Sequence, residues 1–434
     1  MNILQLNSSD AGGGAERVAW DLFEAMRARG HGSWMSVGIK KSRDPGVFVV
    51  PNPPPASWRF GALHTADHLL THTWRGSWQL ARGLQLLAGR KTQLARERGE
   101  ELFDYVGTSR IPFLPPIKPD LIHAHNLHGF YFDLRQLPRL SQDTPFMMTL
   151  HDEWSFTGHC SYTLGCDRWQ SACGECPHLD TPPAIEADGT AFNWQRKASI
   201  YAESHLHLVT PSEWLKQRVG QSMFKDRPVR VVPNGIRLDI FTPGDREEIR
   251  ASLGLEPGRP VLMFSANANN PFKDFTTIEK AVERMQTPVT CLVVGGQEAR
   301  DVQRGLHVFR YVPFIEDPET LARYYQAADL FLFATRADNY PLVILETLAC
   351  GTPAISTKVG GIPEQIIDGK NGVLVPPGDA AAMAAVADQL LSQPERLREM
   401  RGFAAEDARA RFDLNTMAER YEHAYQEICA VGSS

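Results

Sequence analysis

The strongest constraint on this chain is an alternation of short apolar strands and helical segments that runs twice. In the first run, Ile3–Leu6, Leu121–His125, Pro145–Leu150 and Leu206–Thr210 read as buried strands, short apolar runs bounded by turn residues. Gly12-Gly13-Gly14 follows the first of them, and a helix from about Ala15 to Arg29 stops at Gly30, where a glycine accepts the backbone turn that ends helices. A proline junction, Val231-Val232-Pro233-Asn234-Gly235, interrupts the pattern. It then restarts with strands at Val261–Ser265, Thr290–Val294, Leu330–Ala334 and Ala354–Thr357, and helices at Phe275–Arg284, Pro318–Ala328, Pro341–Ala349 and Ala380–Leu391. Such alternation gives parallel sheets with helices on both faces, and 434 residues exceed one ordinary core. The expectation is an α/β chain of two doubly wound domains facing across a cleft, residues 1–232 and 233–412. A closing helix, about Leu414–Cys429 within 413–434, carries Met417, Tyr421, Ala424 and Ile428 on one face. Ligands of such sheets sit where strands run out into loops at their carboxyl ends.

Charge narrows the partners. Forty-five Lys and Arg stand against 51 Asp and Glu, a net of −6, which argues against nucleic acid. No apolar run approaches the roughly 18 residues of a membrane span. Met1–Leu6 lacks the basic region of a signal peptide and reads as the first strand, so a cytoplasmic location is expected. Ala56–Arg98 stands apart, with seven Lys or Arg against two acidic residues and with Trp58, Trp74 and Trp78. Basic residues among tryptophans suit peripheral contact with the inner membrane face. They also suit a solvated basic helix over the sheet, and both readings stay open.

The densest chemistry lies in 334–378. Thr335-Arg336-Ala337-Asp338-Asn339-Tyr340-Pro341-Leu342-Val343-Ile344-Leu345-Glu346 leads to Val359-Gly360-Gly361-Ile362-Pro363-Glu364. Asp338 and Glu346, eight apart, flank a loop that opens a helix at Pro341, and proline suits a first helical position. The unpaired N–H groups and dipole there attract an anion such as a diphosphate. Capping by Asp338 and simple exposure of Glu346 would explain each acid alone, but not the glycine-punctuated string.

That string resembles the donor site of the GT-B retaining glycosyltransferases that build bacterial surface polysaccharides, the family 4-like group. The resemblance implies a GT-B fold of two Rossmann-like domains, with the acceptor on the N-terminal one and the nucleotide-sugar on the C-terminal one. The family pairs two glutamates; here Asp338 takes the first place and Glu346 the second, which should hold the ribose. Backbone around Asn339, Tyr340, Pro341, Leu342 and Val343 should meet the diphosphate. Lys273 is the implied cation for the leaving diphosphate, and Asn267 stands where many relatives keep an arginine. Tyr311 and Val312, in Arg310–Pro313, match the segment whose backbone reads the base. Gly13 and Gly14 match the loop approaching donor and acceptor, and His151, before Asp152, the histidine beside the transferred sugar. Ser212-Glu213-Trp214 and Val232–Ile236 match the crossing between domains. His125 and His128, at another strand end, are weaker candidates for acceptor contact, since a core role fits a histidine there too.

The activity implied is transfer of a sugar from a UDP- or GDP-linked donor to a glycan or lipid-linked acceptor, with configuration retained. The chain carries no Asp-x-Asp pair for a divalent cation, so metal-independent transfer is expected. A non-catalytic nucleotide-sugar-binding or scaffold protein and a nucleotide-sugar epimerase on the same fold are the alternatives. Four of the seven cysteines, Cys160, Cys166, Cys173 and Cys176, cluster after His151 with one Cys-x-x-Cys pair, which suits structural zinc. Free or redox-active thiols are the other reading. A branch of the family carries such a cluster at this place.

Overall fold

The computed structural model describes residues 1–52, 94–265, 270–296 and 298–431. They form two compact units, one of Met1–Thr210, Lys216–Arg230 and the stretch from Glu422 onward, the other of Pro211–Leu215 and Val231–Tyr421.

In the first unit β1 (Asn2–Ser9), β2 (Gly32–Ile39), β3 (Val47–Val49), β4 (Leu121–Ala124), β5 (Phe146–Thr149), β6 (Leu206–Thr210) and β7 (Val229–Val231) make one sheet in the order β3-β2-β1-β4-β5-β6-β7. Pairing from β3 through β6 is parallel. Ile3, Leu4 and Leu6 are wholly buried, as expected for a central parallel strand covered on both faces. Helix Gly14–Ala28 turns Val18, Ala19, Leu22, Phe23 and Met26 inward, and Ala19 and Phe23 of this stripe pack with Met35, Val37 and Val47. Strands are added outward from β1 to β3, then on the other side from β4, so direction reverses between β1 and β4.

The second unit repeats the plan. Strands β8 (Val261–Ser265), β9 (Thr290–Gly296), β10 (Arg300–Arg304), β11 (His307–Pro313), β12 (Leu330–Phe333), β13 (Ala354–Thr357) and β14 (Gly372–Val375) lie in the order β10-β11-β9-β8-β12-β13-β14. Only the edge hairpin β10–β11 is antiparallel, turning at Gly305, whose φ of +57° suits glycine. Leu262, Phe264, Leu332 and Ile355 of the sheet pack against Ile278 and Val282 of one helix and Met383 and Ala387 of another. Here the reversal falls between β8 and β12.

Some boundaries differ from the sequence reading. The helix expected from Pro341 runs Leu342–Ala349, and Pro341 is its N-cap in extended conformation, φ −64° and ψ 125°. The last helix runs Leu414–Val431; Met417, Tyr421 and Ala424 are buried with Tyr425, whereas Ile428 is half-buried. Residues 53–93, with Trp58, Trp74 and Trp78, and Asn267 lie outside the described residues, so the readings placed on them have no structural counterpart. No described helix is long and apolar enough to cross a membrane.

Candidate active site

Reversal points of doubly wound sheets open a crevice at the carboxyl ends of the strands. In the second unit the loops after β8 and β12 flank that point, and they bring Lys273 to Asp338. The loops are laced by backbone: Arg336 N–H donates to Phe272 O at 2.8 Å and Asp274 N–H to Ala334 O at 3.0 Å, and Lys273 forms a bridge with Thr335. Lys273 Nζ stands 2.5 Å from Asp338 Oδ2 and 4.2 Å from the Phe333 ring centre. The expected cation and the first expected acid are therefore one ion pair.

The glycines of the string have a steric purpose. A Cβ on Gly360 would lie 1.7 Å from Asp338 O, and one on Gly361 2.1 Å from Asn339 O. Only a bare backbone can press this closely on the Asp338–Asn339 loop, and Gly360 also has φ +54°. The loop is also held by hydrogen bonds. Ser212 Oγ donates to Asn339 Oδ1 at 2.6 Å, Gln365 Nε2 to Pro341 O at 3.1 Å and Asn234 Nδ2 to Tyr340 O at 3.4 Å. Glu364 accepts from the N–H groups of Glu213 and Trp214 at 2.9 and 2.7 Å. The Ser212–Trp214 and Asn234 motifs thus serve as braces. Asn339 and Tyr340 are buried.

Helix Leu342–Ala349 has no side-chain hydrogen bond at its N-cap, at the end where backbone N–H groups lack intrahelical partners. Glu346 is not an exposed acid: it is 6% exposed and accepts from Tyr325 O–H at 3.1 Å. Tyr311 and Val312 end β11 beside β9, with a register shift between Val312 and Pro313. Tyr311 Oη accepts from Arg304 at 2.9 Å.

The first unit gathers its candidates at the equivalent place. After β1, Gly13 caps helix Gly14–Ala28, its N–H donating to Glu16 Oε2 at 3.0 Å, and Ser8 Oγ donates to Glu16 Oε1 at 3.0 Å. After β4 and β5 come His125 and His151, with Nδ1 and Nε2 2.9 Å apart. His125 Nε2 lies 3.0 Å from Gln5 Oε1, an acceptor only, so that nitrogen carries the proton. His125 Nδ1 must then accept, and His151 Nε2 donates. Gln5 Nε2 donates onward to Tyr425 Oη at 3.4 Å, and Tyr425 meets His123 Nδ1 at 2.7 Å.

Burial, reinforced by neighbouring imidazoles, holds His123 and His125 well below the usual histidine range. Loss of water likewise pushes His151 down to about 4, against the pull of Asp152 and Glu16. These rings are neutral at pH 7. His128 goes the other way: burial disfavours its charge, but Asp152, with Oδ2 3.2 Å from Nε2, raises it. His125 is 3% exposed, so its route to a ligand runs through His151, a relation that the spacing of these residues in sequence did not announce.

The four clustered cysteines are free thiols that line one cavity of about 20 Å³, together with His159 and His178. Gly158 N–H donates to Cys173 Sγ at 3.2 Å, and His159 Nε2 lies 3.5 Å from Cys176 Sγ while Nδ1–H donates to Pro183 O at 2.8 Å. Among the described residues no group of three or more His, Cys, Asp or Glu is placed to hold a metal ion.

Comparison with known proteins bears on both units. Residues 12–240 match the family model for glycosyltransferase family 4, and residues 259–393 that for glycosyl transferases group 1. The chain is 25% identical to the colanic acid biosynthesis glycosyl transferase WcaC of Escherichia coli, over 99% of this chain and all of that one. It is 32% identical to the D-inositol 3-phosphate glycosyltransferase of Nocardia farcinica, over 69% of this chain and 74% of that one. Similar solved structures include sucrose-phosphate synthase of Thermosynechococcus elongatus (TM-score 0.66, 20% identity, 99% and 100% of the two chains) and HepE of Anabaena with UDP-glucose (0.63, 18%, 98% and 100%). The fold they share is GT-B, with two Rossmann-like parallel-sheet domains.

Proposed function

Because the chain belongs to glycosyltransferase family 4 and is a nucleotide-sugar glycosyltransferase, we propose that Lys273, Asp338 and the start of helix Leu342–Ala349 form its donor diphosphate site. The observation that carries this is the meeting of Lys273 with Asp338 at the reversal point between β8 and β12. Departure of a nucleoside diphosphate builds negative charge on phosphate oxygen. An ammonium and helix N–H groups fixed beforehand stabilise that charge without reorganising. Asp338 uses one of the three N–H donors of Lys273 and holds the side chain in place, leaving the others for phosphate. Backbone at Asn339, Tyr340, Leu342 and Val343 adds N–H groups, Glu346 accepts the ribose hydroxyls, and Tyr311 and Val312 frame the base.

In the first unit His151 contacts the transferred sugar, Gly13 and Gly14 leave room for backbone approach, and His128 faces the acceptor. His125 sets the proton position on His151 rather than touching substrate itself. The division of labour is residues 1–232 for acceptor and 233–412 for donor, with 413–434 completing the chain. Retention of configuration and an acceptor in surface-polysaccharide assembly follow by likeness to the family and to WcaC. UDP-sugars are the first donors to try, since HepE was solved with UDP-glucose.

Structural zinc at Cys160, Cys166, Cys173 and Cys176 belongs to this reading on the spacing and the shared cavity. The sulfurs would have to draw together to bind it. Elemental analysis of purified protein should find about one zinc per chain, and none would remove the metal from the scheme.

The transferase reading is tested by release of nucleoside diphosphate from a panel of UDP- and GDP-sugars. Glu346→Gln should keep the fold and weaken donor binding by about tenfold, the loss of one charge-assisted hydrogen bond. A chain that neither binds nor turns over any donor would overturn the reading.

A further inference from the structure

The first unit holds a second cavity, of about 540 Å³, that none of the donor chemistry uses. His128 lines it, which places it next to Asp152 and so beside His151. Its walls are aromatic, with Phe103, Tyr105, Phe130, Phe132 and Trp154.

Phe130 is the telling member. Its side chain is 80% exposed, although phenylalanine gains most by burial, and its φ is +65°, a left-handed conformation costly for a bulky residue. Gly129 before it has φ +104°, and a Cβ there would meet Ser8 Cβ at 3.0 Å. The backbone is thus fixed in a strained turn that keeps an apolar ring out in solvent. Strain of this kind persists where it serves a ligand.

The opposite wall is rigid. Asn193 accepts from Glu101 N–H at 2.9 Å and donates to Gly99 O at 2.9 Å, while Arg196 lies over the Phe103 ring at 4.0 Å. Buried Lys197 sits 3.7 Å from the Trp154 ring centre and donates to Trp154 O and Thr157 O. The cavity is therefore formed in advance.

Its charge selects the ligand. Arg96 and His128 are the basic residues among the described lining residues, against Glu100, Glu101 and Glu186. Arg96 pairs with Glu186 at 3.6 Å and His128 with Asp152 at 3.2 Å, while Glu100 meets Arg98 at 3.8 Å and Glu101 meets buried Lys197 at 3.1 Å. Both basic lining residues are thus already engaged by carboxylates, so neither offers a phosphate or pyrophosphate a spare positive charge. Aromatic faces with carboxylates at the rim suit a neutral pyranose instead, C–H faces against the rings and hydroxyls donating to carboxylate oxygen. We propose that this cavity is the subsite for a neutral sugar residue of the acceptor, stacked on Phe130 and delivered to the His151 edge. The proposal rests on the transferase reading for its purpose and on the cavity alone for its ligand.

Ligand-observed NMR with octyl β-D-glucopyranoside and methyl β-D-glucopyranoside tests it on the full chain. Saturation should pass from the protein to the pyranose C–H protons, and inorganic pyrophosphate should not displace either probe. Phe130→Gly removes the ring and relieves the backbone, so it should raise Tm while cutting the sugar signal at least fivefold. Phe130→Tyr should retain it. Ala184→Trp, a filling change at an exposed lining residue, should also abolish the signal. Transfer to the octyl chain rather than the sugar, displacement by pyrophosphate, or an unchanged signal in both Phe130→Gly and Ala184→Trp would overturn the proposal. A fall in Tm on Phe130→Gly with the sugar signal kept would make Phe130 a packing residue and overturn it too. Donor turnover without acceptor is read separately, so failure of the transferase reading would show there and not in the sugar signal.

Discussion

The two units share a plan and differ in the chemistry they place at the same point of it. Each is a seven-stranded doubly wound sheet whose loops meet where strand order reverses. In the second unit that point holds an ion pair, Lys273 with Asp338, beside the start of a helix with no side-chain cap. In the first it holds histidines kept neutral by burial and linked through Gln5 to Tyr425. On the proposed function, the contrast follows the charge each place would meet. A departing diphosphate is an anion and calls for fixed positive charge, whereas a sugar and its acceptor are handled by oriented hydrogen bonds that a stray charge would only disturb.

Four experiments test this contrast. The largest effect is expected in the charged unit: Lys273→Ala should lower turnover on the order of a hundredfold, with the fold intact by circular dichroism. A loss under tenfold would mean that the diphosphate is stabilised elsewhere. Gly360→Ala comes next. A Cβ driven toward Asp338 O at a positive φ should cost about 1–3 kcal/mol by chemical denaturation, and donor affinity should fall with it.

The third experiment addresses the neutral unit through pH. His151 is lowered to about 4 in the folded chain against an ordinary 6.5, so as pH drops from 6.5 the unfolded chain takes up its proton first and gains stability. Folding stability should therefore decline between pH 6.5 and 4, with His151 contributing about 1–2 kcal/mol at pH 5. The raised pKa of His128 works in the opposite sense, since its contribution is complete at low pH and fades as pH rises through its folded value. Urea titrations at pH 7.5 and pH 5 should show a smaller difference for His151→Gln than for the parent chain. An equal difference would mean that His151 is charged. The smallest effect is expected at Gly14, where an added Cβ meets nothing within 4 Å. Gly14→Ala should change stability by less than about 0.5 kcal/mol, and any loss of turnover would then report substrate approach, not folding.

Most of the architecture could be read from the chain because central parallel strands are buried on both faces and so appear as plain apolar runs. Val261–Ser265 and Leu206–Thr210 fall where the sequence puts them. Other strands could not be read this way. Arg300–Arg304 is almost wholly polar and becomes a strand only by pairing with His307–Pro313, and Gly32–Ile39 alternates with serines and glycines that mask its pattern. The motifs marked the candidate site, but their relations were not visible. Lys273 and Asp338 are 65 residues apart and meet only because β8 and β12 are neighbours. The burial of Glu346 was not visible either, because its partner, Tyr325, lies on the preceding helix. Paired glycines 360 and 361 announced a tight approach without saying to what.

The last helix changes allegiance partway along: up to Tyr421 it packs with the second unit, and from Glu422 with the first. Tyr425 lies beyond that change, and its hydroxyl meets both Gln5 and His123. A chimera that borrows a relative's entire C-terminal half would therefore import a foreign neighbour for the histidines of a unit it was meant to leave alone. Exchange of donor specificity between such enzymes should splice at residues 231 and 421 and keep the host's own tail.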